Sequence, residues 1–305
     1  MTEHFFHQVL QNHINAGNAS QTVWWDESRI PLDSIGKRVT DLLDLRGKRA
    51  VVTGGAGINL GQACVNRLAG LGADVAVVDL SAEQVKERGF SRHPDAPDAE
   101  GVAADAARKW STKTVAIHGD VMDWDGVQDV MAKAADALGG IDILVNNAAD
   151  VAVGNFADFG QQEIDRSVRG TLTGPIYCSR AALDYMLPQG HGRIINIGSE
   201  AGVSAMPMLT LYGSLKAGLA QFTRFLGKEL GPQGIQVLGV NAGSMWGPGR
   251  PLTDDRPETL YPRGRTAIQR YELPEEVANM VAFLASDAAS AMNGAVIDMG
   301  GGMSV

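Results

Sequence analysis

From Lys48 onward, short unbroken apolar runs alternate with longer stretches of helical periodicity, and this alternation constrains the fold more than any other feature. Ala50-Val51-Val52-Thr53 reads as a first strand, with a helix over 60–71 after it. Strands follow at Asp74 to Val78 and Thr114 to Ile117, then a helix over 124–138 and a strand at Ile141 to Val145. A long helical region reaches about residue 187, a fifth strand spans Arg193 to Ile197, and a helix covers about 210–230. Ile235 to Val240, a helix over roughly 274–286 and a short strand at Ala295 to Ile297 close the chain. Strands that are apolar throughout must be covered on both faces, and helix-bearing connections join parallel neighbours. The pattern predicts an α/β fold, a doubly wound parallel sheet of about seven strands with helices on both faces.

Residues 1–46 stand outside this pattern and read as an N-terminal extension; 47–305 read as a single domain. Short helical stretches fit 3–14 and 33–43, and Trp24-Trp25 asks for burial against the domain or a partner subunit. Residues 89–101, rich in Pro, Asp and Ala, read as a surface excursion. Pro248, Pro251, Pro257 and Pro262 prevent 243–273 from forming one regular helix, so this segment reads as a flap after the sixth strand.

The composition narrows the classes of function. The chain has 305 residues, 45% of them hydrophobic, and a net charge of −9. An acidic chain without clustered Lys and Arg is a poor partner for nucleic acid. No run of eighteen apolar residues marks a membrane span, and the N-terminus lacks the pattern of a secretory signal, so a cytoplasmic location is expected. Cys64 and Cys178 sit among apolar neighbours in helical stretches and read as buried thiols, with no metal site.

The first strand runs into Thr53-Gly54-Gly55-Ala56-Gly57-Ile58-Asn59-Leu60-Gly61. Glycines allow a tight turn and let a pyrophosphate approach the main chain at the start of the next helix. Gly54, Gly57 and Gly61 are expected to form the turn, with Asn59 and Leu60 beside the phosphates. The second strand ends at Asp79-Leu80; an acid there accepts hydrogen bonds from a ribose 2′-hydroxyl and repels a 2′-phosphate. NAD is therefore expected over NADP.

Tyr212 and Lys216 lie four residues apart, and Ser199 stands thirteen positions upstream of the tyrosine. Residues i and i+4 share a helix face. A phenol titrates near ~10, and lowering it to ~7 takes about 4 kcal/mol. One cation at about 4 Å, at an effective dielectric of about 20, supplies that much. Tyr212 could then act as an acid or base near neutrality, with Ser199 bonding the reacting oxygen.

Together these pieces resemble the short-chain dehydrogenase/reductase family over about residues 46–304. The resemblance rests on the glycine turn at 53–61, Gly119-Asp120-Val121, Asn146-Asn147-Ala148-Ala149, Ser199, and Tyr212 with Lys216. Pro274-Glu275-Glu276-Val277-Ala278 and Asn293-Gly294 through Gly300-Gly301-Gly302 also match. It implies a Rossmann-like domain and an NAD-dependent enzyme that moves a hydride between nicotinamide and a small-molecule secondary alcohol or ketone. Tyr212 is implied as the acid/base, Lys216 as the group that holds the nicotinamide ribose and lowers the tyrosine pKa, and Ser199 as the group that polarises the substrate. Asp120 and Val121 are implied at the adenine, with Asn146, Asn147 and Ala148 lining the cofactor. Homo-oligomers, dimers or tetramers, form in the family through the long helices flanking the fifth strand.

The chain departs from the family pattern at four places. Its glycine turn is one residue longer. Thr171 replaces the catalytic asparagine that helps place a water in the proton relay. Ala242-Gly243 replaces Pro-Gly, and Gly247 replaces a threonine that holds the nicotinamide amide, a task left to backbone near Gly243 and Met245. Candidates for the substrate pocket are Asp150, Val151, Glu200, Met206, Met208, Met245, Trp246 and Arg250. A cyclic or polyol-type alcohol fits this mixture of apolar and acidic groups. A sugar epimerase or dehydratase with no net redox change, and a weakened NAD-binding regulator, are the alternatives.

Overall fold

Seven parallel strands form one sheet among the described residues, in the order β3-β2-β1-β4-β5-β6-β7. They are β1 (Arg49–Thr53), β2 (Asp74–Asp79), β3 (Thr114–His118), β4 (Ile143–Asn146), β5 (Gly192–Ser199), β6 (Ile235–Ala242) and β7 (Val296–Met299). The computed structural model describes residues 29–90, 96–247 and 266–303, together with Gln8 and Asn12. The expected helix at 3–14, Trp24-Trp25, Arg250 and the four prolines between 248 and 262 lie outside the described residues.

The helices are α1 (Val39–Leu42), α2 (Leu60–Gly70), α3 (Ala82–Glu87), α4 (Ala99–Trp110), α5 (Trp124–Leu138), α6 (Gln161–Val168), α7 (Gly174–Gln189), α8 (Thr210–Leu230) and α9 (Pro274–Ala285). Alternate strand residues face opposite sides. Ala50 and Val52 pack with α2, α4 and α9, whereas Val51 packs with α5 and α7. Each fully buried aliphatic side chain contributes about 2 kcal/mol relative to exposure, so both layers are held by the same strands. Cys64 and Cys178 belong to these two layers, and burial pushes both thiols up to about 12.

Three features differ from the expectation. The segment 89–101 is not wholly an excursion: α4 starts at Ala99, and Ala99, Val102, Ala103 and Ala106 form a buried stripe. Its residues are small, so the stripe has a weak hydrophobic signal, although Asp98 caps it by accepting the Gly101 N–H at 2.8 Å. The long helical region before residue 187 is broken by a π-helical turn, Arg169–Thr173, between α6 and α7. β5 and β6 extend beyond their apolar runs, because Gly198 and Ser199 continue to pair with Asn241 and Ala242.

One ion pair fixes the ends of the strands farthest from the cleft. Asp142 Oδ2 accepts from Arg49 N at 2.8 Å and Nε at 2.7 Å, and its Oδ1 accepts from Nη2 at 2.8 Å. His191 Nε2 lies 2.9 Å from the same Oδ1. Burial pushes the carboxyl up, but Arg49, the backbone N–H and His191 together hold it below the usual range. Thus β1, the approach to β4 and the approach to β5 share one carboxylate. Asp142→Asn is expected to cost about 2–3 kcal/mol in urea unfolding at neutral pH. A depressed carboxyl stabilises above its unfolded pKa and loses that contribution as pH falls, so the gap from wild type should close below about pH 4. A gap independent of pH would count against the charged pair.

Candidate active site

The chain runs outward from β1 to β2 and β3, then returns to β4 on the other side of β1. Such a reversal opens a crevice beyond the strand ends. Thr53 holds the crevice together. Its Oγ1 accepts from Asn147 N at 3.1 Å and Ala148 N at 3.2 Å. Asn147 Nδ2 donates back to Thr53 O at 3.1 Å and Gly54 O at 3.0 Å. Gly54 has φ +63°, and a Cβ there would stand 3.0 Å from the Ala148 Cα. A Cβ on Gly61 would stand 2.0 Å from Gly54 O, so the start of α2 presses directly on the turn. Leu60 is buried in the core and Asn59 opens the helix, so these two residues shape the turn from behind and beside it.

A cavity of about 360 Å³ fills the crevice, lined by Gly54, Gly57, Asp79, Leu80, Asp120, Val121, Asn147 and Ala148 among others. Asp79 Oδ2 accepts from Ala56 N at 2.9 Å and Oδ1 from Leu80 N at 2.8 Å. These two backbone bonds aim the carboxylate from the glycine turn. Val85, Phe90 and Val121 supply apolar walls. Asp120 accepts from Met122 N at 2.8 Å and pairs with Arg88. This set fits a dinucleotide: a glycine-rich turn that lets phosphates approach the main chain, an acid at the end of β2 and apolar walls beyond it.

Two expected lining residues take other positions. Asn146 is buried beneath the crevice, where its Nδ2 donates to Ser179 Oγ at 3.1 Å and Asn196 Oδ1 at 2.8 Å. It links β4, β5 and α7, and the neighbouring Asn147 lines the cavity instead. Asp150, expected at the substrate, lies in the wall of the dinucleotide cavity. Its Oδ2 is 2.6 Å from Arg166 Nε, and the guanidinium carbon of Arg166 stands 5.5 Å from the centre of the Phe90 ring. Burial pushes the Asp150 carboxyl up, while Arg166 opposes that shift. Phe90 and Arg166 carried no recognisable signal in the sequence, being an isolated aromatic and one of many helix cations.

Ser199 ends β5, and its Oγ accepts from Ala201 N at 3.2 Å. Tyr212 and Lys216 sit in the first two turns of α8. Lys216 is 3% exposed, its Nζ donates to Ile197 O at 2.6 Å, and it stands 5.7 Å from the centre of the Tyr212 ring. The carbonyl two residues before Ser199 therefore anchors the ammonium to the strand bearing the serine. Burial pushes the Lys216 ammonium down to about 8. It remains mostly charged at neutral pH, and its field on the phenol fades on the alkaline side. Thr171 is fully buried in the π turn, and its Oγ1 donates to Asp150 O at 2.7 Å. Its hydroxyl proton is thus committed to the loop after β4. A π turn inserted in a helix often marks a functional position.

The other wall follows β6. Gly243 N donates to Glu272 Oε2 at 3.1 Å. Met245 bridges to Glu272, and Trp246 N donates to Glu272 O at 2.8 Å, so both ends of the flap segment are tied together. A Cβ on Gly247 would lie 2.7 Å from Asn59 Oδ1, which brings the flap root against the glycine turn. Met206 is half-buried, and Met208 is exposed with φ +64°, a left-handed backbone that a methionine rarely adopts. Its carbonyl accepts from Gly154 N at 3.0 Å, joining the loops after β4 and β5. Glu200, expected to face substrate, is 1% exposed and turned inward against Gly300. Ser199 ends its strand with its hydroxyl bonded to Ala201 N, and a 3₁₀ turn begins at Glu200.

Residues 55–304 match the family model described as enoyl-(acyl carrier protein) reductase. A 2-dehydro-3-deoxy-L-rhamnonate dehydrogenase (NAD(+)) of Sphingomonas sp. (strain SKA58) is 34% identical, covering 84% of this chain and 95% of its own. A cyclohexanol dehydrogenase of Rhodococcus sp. (strain TK6) is 31% identical, covering 87% and 99%. The crystal structure of a short chain dehydrogenase from Burkholderia cenocepacia J2315 in complex with NADP matches with a TM-score of 0.73 at 32% identity, covering 86% and 99%. The chain belongs to the short-chain dehydrogenase/reductase family. It is an oxidoreductase of that type, in a family that binds nicotinamide cofactors.

Lys216→Met keeps the volume and removes the charge. It is expected to lower kcat at least ~100-fold and to move the midpoint of the pH–rate profile upward by more than about one unit. Circular dichroism should be unchanged. A profile with the wild-type midpoint would show that the ammonium does not set the phenol's acidity.

Proposed function

We propose that this protein is an NAD-dependent dehydrogenase/reductase of a secondary alcohol or its ketone, of cyclic or polyol type. The observation that carries the reading is the buried Lys216 ammonium beside the Tyr212 ring, in a chain whose Asp79 lines the cavity at the glycine turn. The nicotinamide cofactor supplies or accepts the hydride. Tyr212 moves the proton at the substrate oxygen, giving it in reduction and taking it in oxidation. Ser199 donates a hydrogen bond to that oxygen, and Lys216 stabilises the phenolate form of Tyr212. Thr171, whose hydroxyl donates to Asp150 O, stands where the family uses asparagine to place a relay water.

Asp79 supports the choice of NAD. Its carboxylate, oriented by two backbone N–H groups, would accept from ribose hydroxyls and repel a 2′-phosphate. The relatives' printed cofactors differ: NAD(+) stands in the name of the rhamnonate dehydrogenase, and NADP in the Burkholderia complex. The cyclohexanol and sugar-acid dehydrogenases support the substrate class by likeness. A homo-oligomer, dimer or tetramer, formed through α7 and α8, the long helices that flank β5, is part of the same reading.

The test is turnover of NAD and NADP with a panel of cyclic alcohols and polyols, followed by the near-ultraviolet absorbance of reduced nicotinamide. Wild type is expected to favour NAD by roughly 100-fold in kcat/KM, equivalent to about 3 kcal/mol. Asp79→Ala should remove most of that preference by weakening use of NAD. A wild-type preference for NADP would overturn the cofactor assignment. Tyr212→Phe is expected to abolish turnover while NADH still binds, and an unchanged rate would overturn the catalytic assignment.

A further inference from the structure

The short helix α3, Ala82–Glu87, buries none of its residues. A helix of that length has little stability of its own, so other contacts must set its place beside the cleft. Beyond it the chain turns back: Gly89 has φ +66°, and Phe90 N donates to Val85 O at 3.0 Å. The turn brings Val85 and Phe90 together into the wall of the crevice cavity. This wall follows β2, on one side of β1, whereas Ser199, Tyr212 and Lys216 belong to β5 and α8 on the other side.

Two ion pairs tie the wall in place. Arg88, two residues before Phe90, pairs with Asp120 from the loop after β3. Arg166, from α6, sets its guanidinium carbon 5.5 Å from the centre of the Phe90 ring and its Nε 2.6 Å from Asp150 Oδ2. The contact with Asp150 is an ion pair rather than an aligned hydrogen bond. Asp120 and Asp150 are each 7% exposed, and both line the cavity. Asp150 is itself fixed. Ser167 Oγ and Thr171 Oγ1 donate to its carbonyl at 3.1 Å and 2.7 Å, and a Cβ on Gly170 would stand 2.6 Å from its own Cβ.

We propose that Arg166 is a positioning residue for the cofactor: anchored on Asp150, its guanidinium holds Phe90 as the wall that receives the adenine base. A guanidinium within about 6 Å of an aromatic centre is attracted by the charge distribution of the ring. The buried acid keeps that guanidinium from swinging into solvent. Val85, Phe90 and Val121 offer apolar surface to a flat base, while the glycine turn is left for the phosphates. The support crosses the crevice, since Phe90 follows β2 and both Asp150 and Arg166 follow β4. The inference rests on the NAD-binding reading above, and adds to it a residue from α6 that acts through Phe90.

The test uses ADP-ribose, which carries the adenine half of the cofactor and no nicotinamide. Its binding to the full chain is measured by titration calorimetry for wild type, Arg166→Met, Arg166→Lys, Phe90→Ala and the double variant Arg166→Met/Phe90→Ala. The Arg166 side chain is 43% exposed, so its replacement leaves the core intact, which circular dichroism checks. Arg166→Met should weaken ADP-ribose roughly tenfold, and Phe90→Ala by a similar factor. The double variant should bind within about threefold of Phe90→Ala, because the two residues act as one unit. Arg166→Lys keeps a cation for Asp150 and should recover part of the loss. In turnover, the effect of Arg166→Met should fall on KM for NAD, with kcat at saturating NAD within about twofold of wild type.

Wild-type affinity in Arg166→Met would overturn the positioning role. So would losses that multiply to roughly 100-fold in the double variant, or a loss confined to kcat. If wild type does not bind ADP-ribose at all, this inference and the NAD-binding reading fall together. If wild type binds ADP-ribose but oxidises no alcohol and reduces no ketone, only the dehydrogenase reading is struck, and calorimetry still decides the role of Arg166.

Discussion

The joint between β1 and β4 is the constraint from which the rest of the cleft is measured. The Thr53 hydroxyl takes two backbone N–H groups from the loop after β4, and Asn147 returns two bonds to the turn after β1. These four bonds cross the line where the chain reverses direction across the sheet. They fix the width of the crevice, and Gly54 lets the two backbones meet without a side chain between them. Asp79 is then aimed by the same turn through Ala56. The glycine turn and Asp79 are thereby joined through the backbone.

The chemical end depends on a second, separate piece of burial. Lys216 is carried by α8, anchored to β5 through Ile197, and kept from water by the sheet. An ammonium in such a place is expensive to keep charged, and the same low polarity amplifies its field on Tyr212. Helix spacing brings the two side chains to one face, and the strand carbonyl decides how deep the lysine sits. One helix thus carries both side chains, and a carbonyl of a different element, β5, anchors the lysine.

Much of the architecture was legible because its signals are local. Strands apolar on both faces, the glycine turn, Asp79 and the Tyr212–Lys216 spacing each announce themselves within a few residues. α4 was hidden because its buried stripe is mostly alanine, which carries little contrast against the exposed face. The π turn at Arg169–Thr173 was hidden because one extra residue in a helix leaves no mark on composition. Asn146 and Asn147 are adjacent and alike, and only the strand's alternation decides that the first goes into the core and the second into the cleft. Glu200 sits inward because the chain enters a 3₁₀ turn at Glu200–Gly202 directly after β5, which a single acidic residue does not reveal. Glu272 disappears into an acidic run, and its burial comes from a contact with Gly243 across the fold.

The bridge between Met245 and Glu272 has a consequence for how such a protein diversifies. It works as a clasp: two positions far apart in the sequence are held side by side. A change of length between them would start and end at fixed points, and the cost of closing a loop grows only slowly with its length. Natural variation and laboratory grafting would both find their easiest material there, with new selectivity acquired on an unaltered chassis.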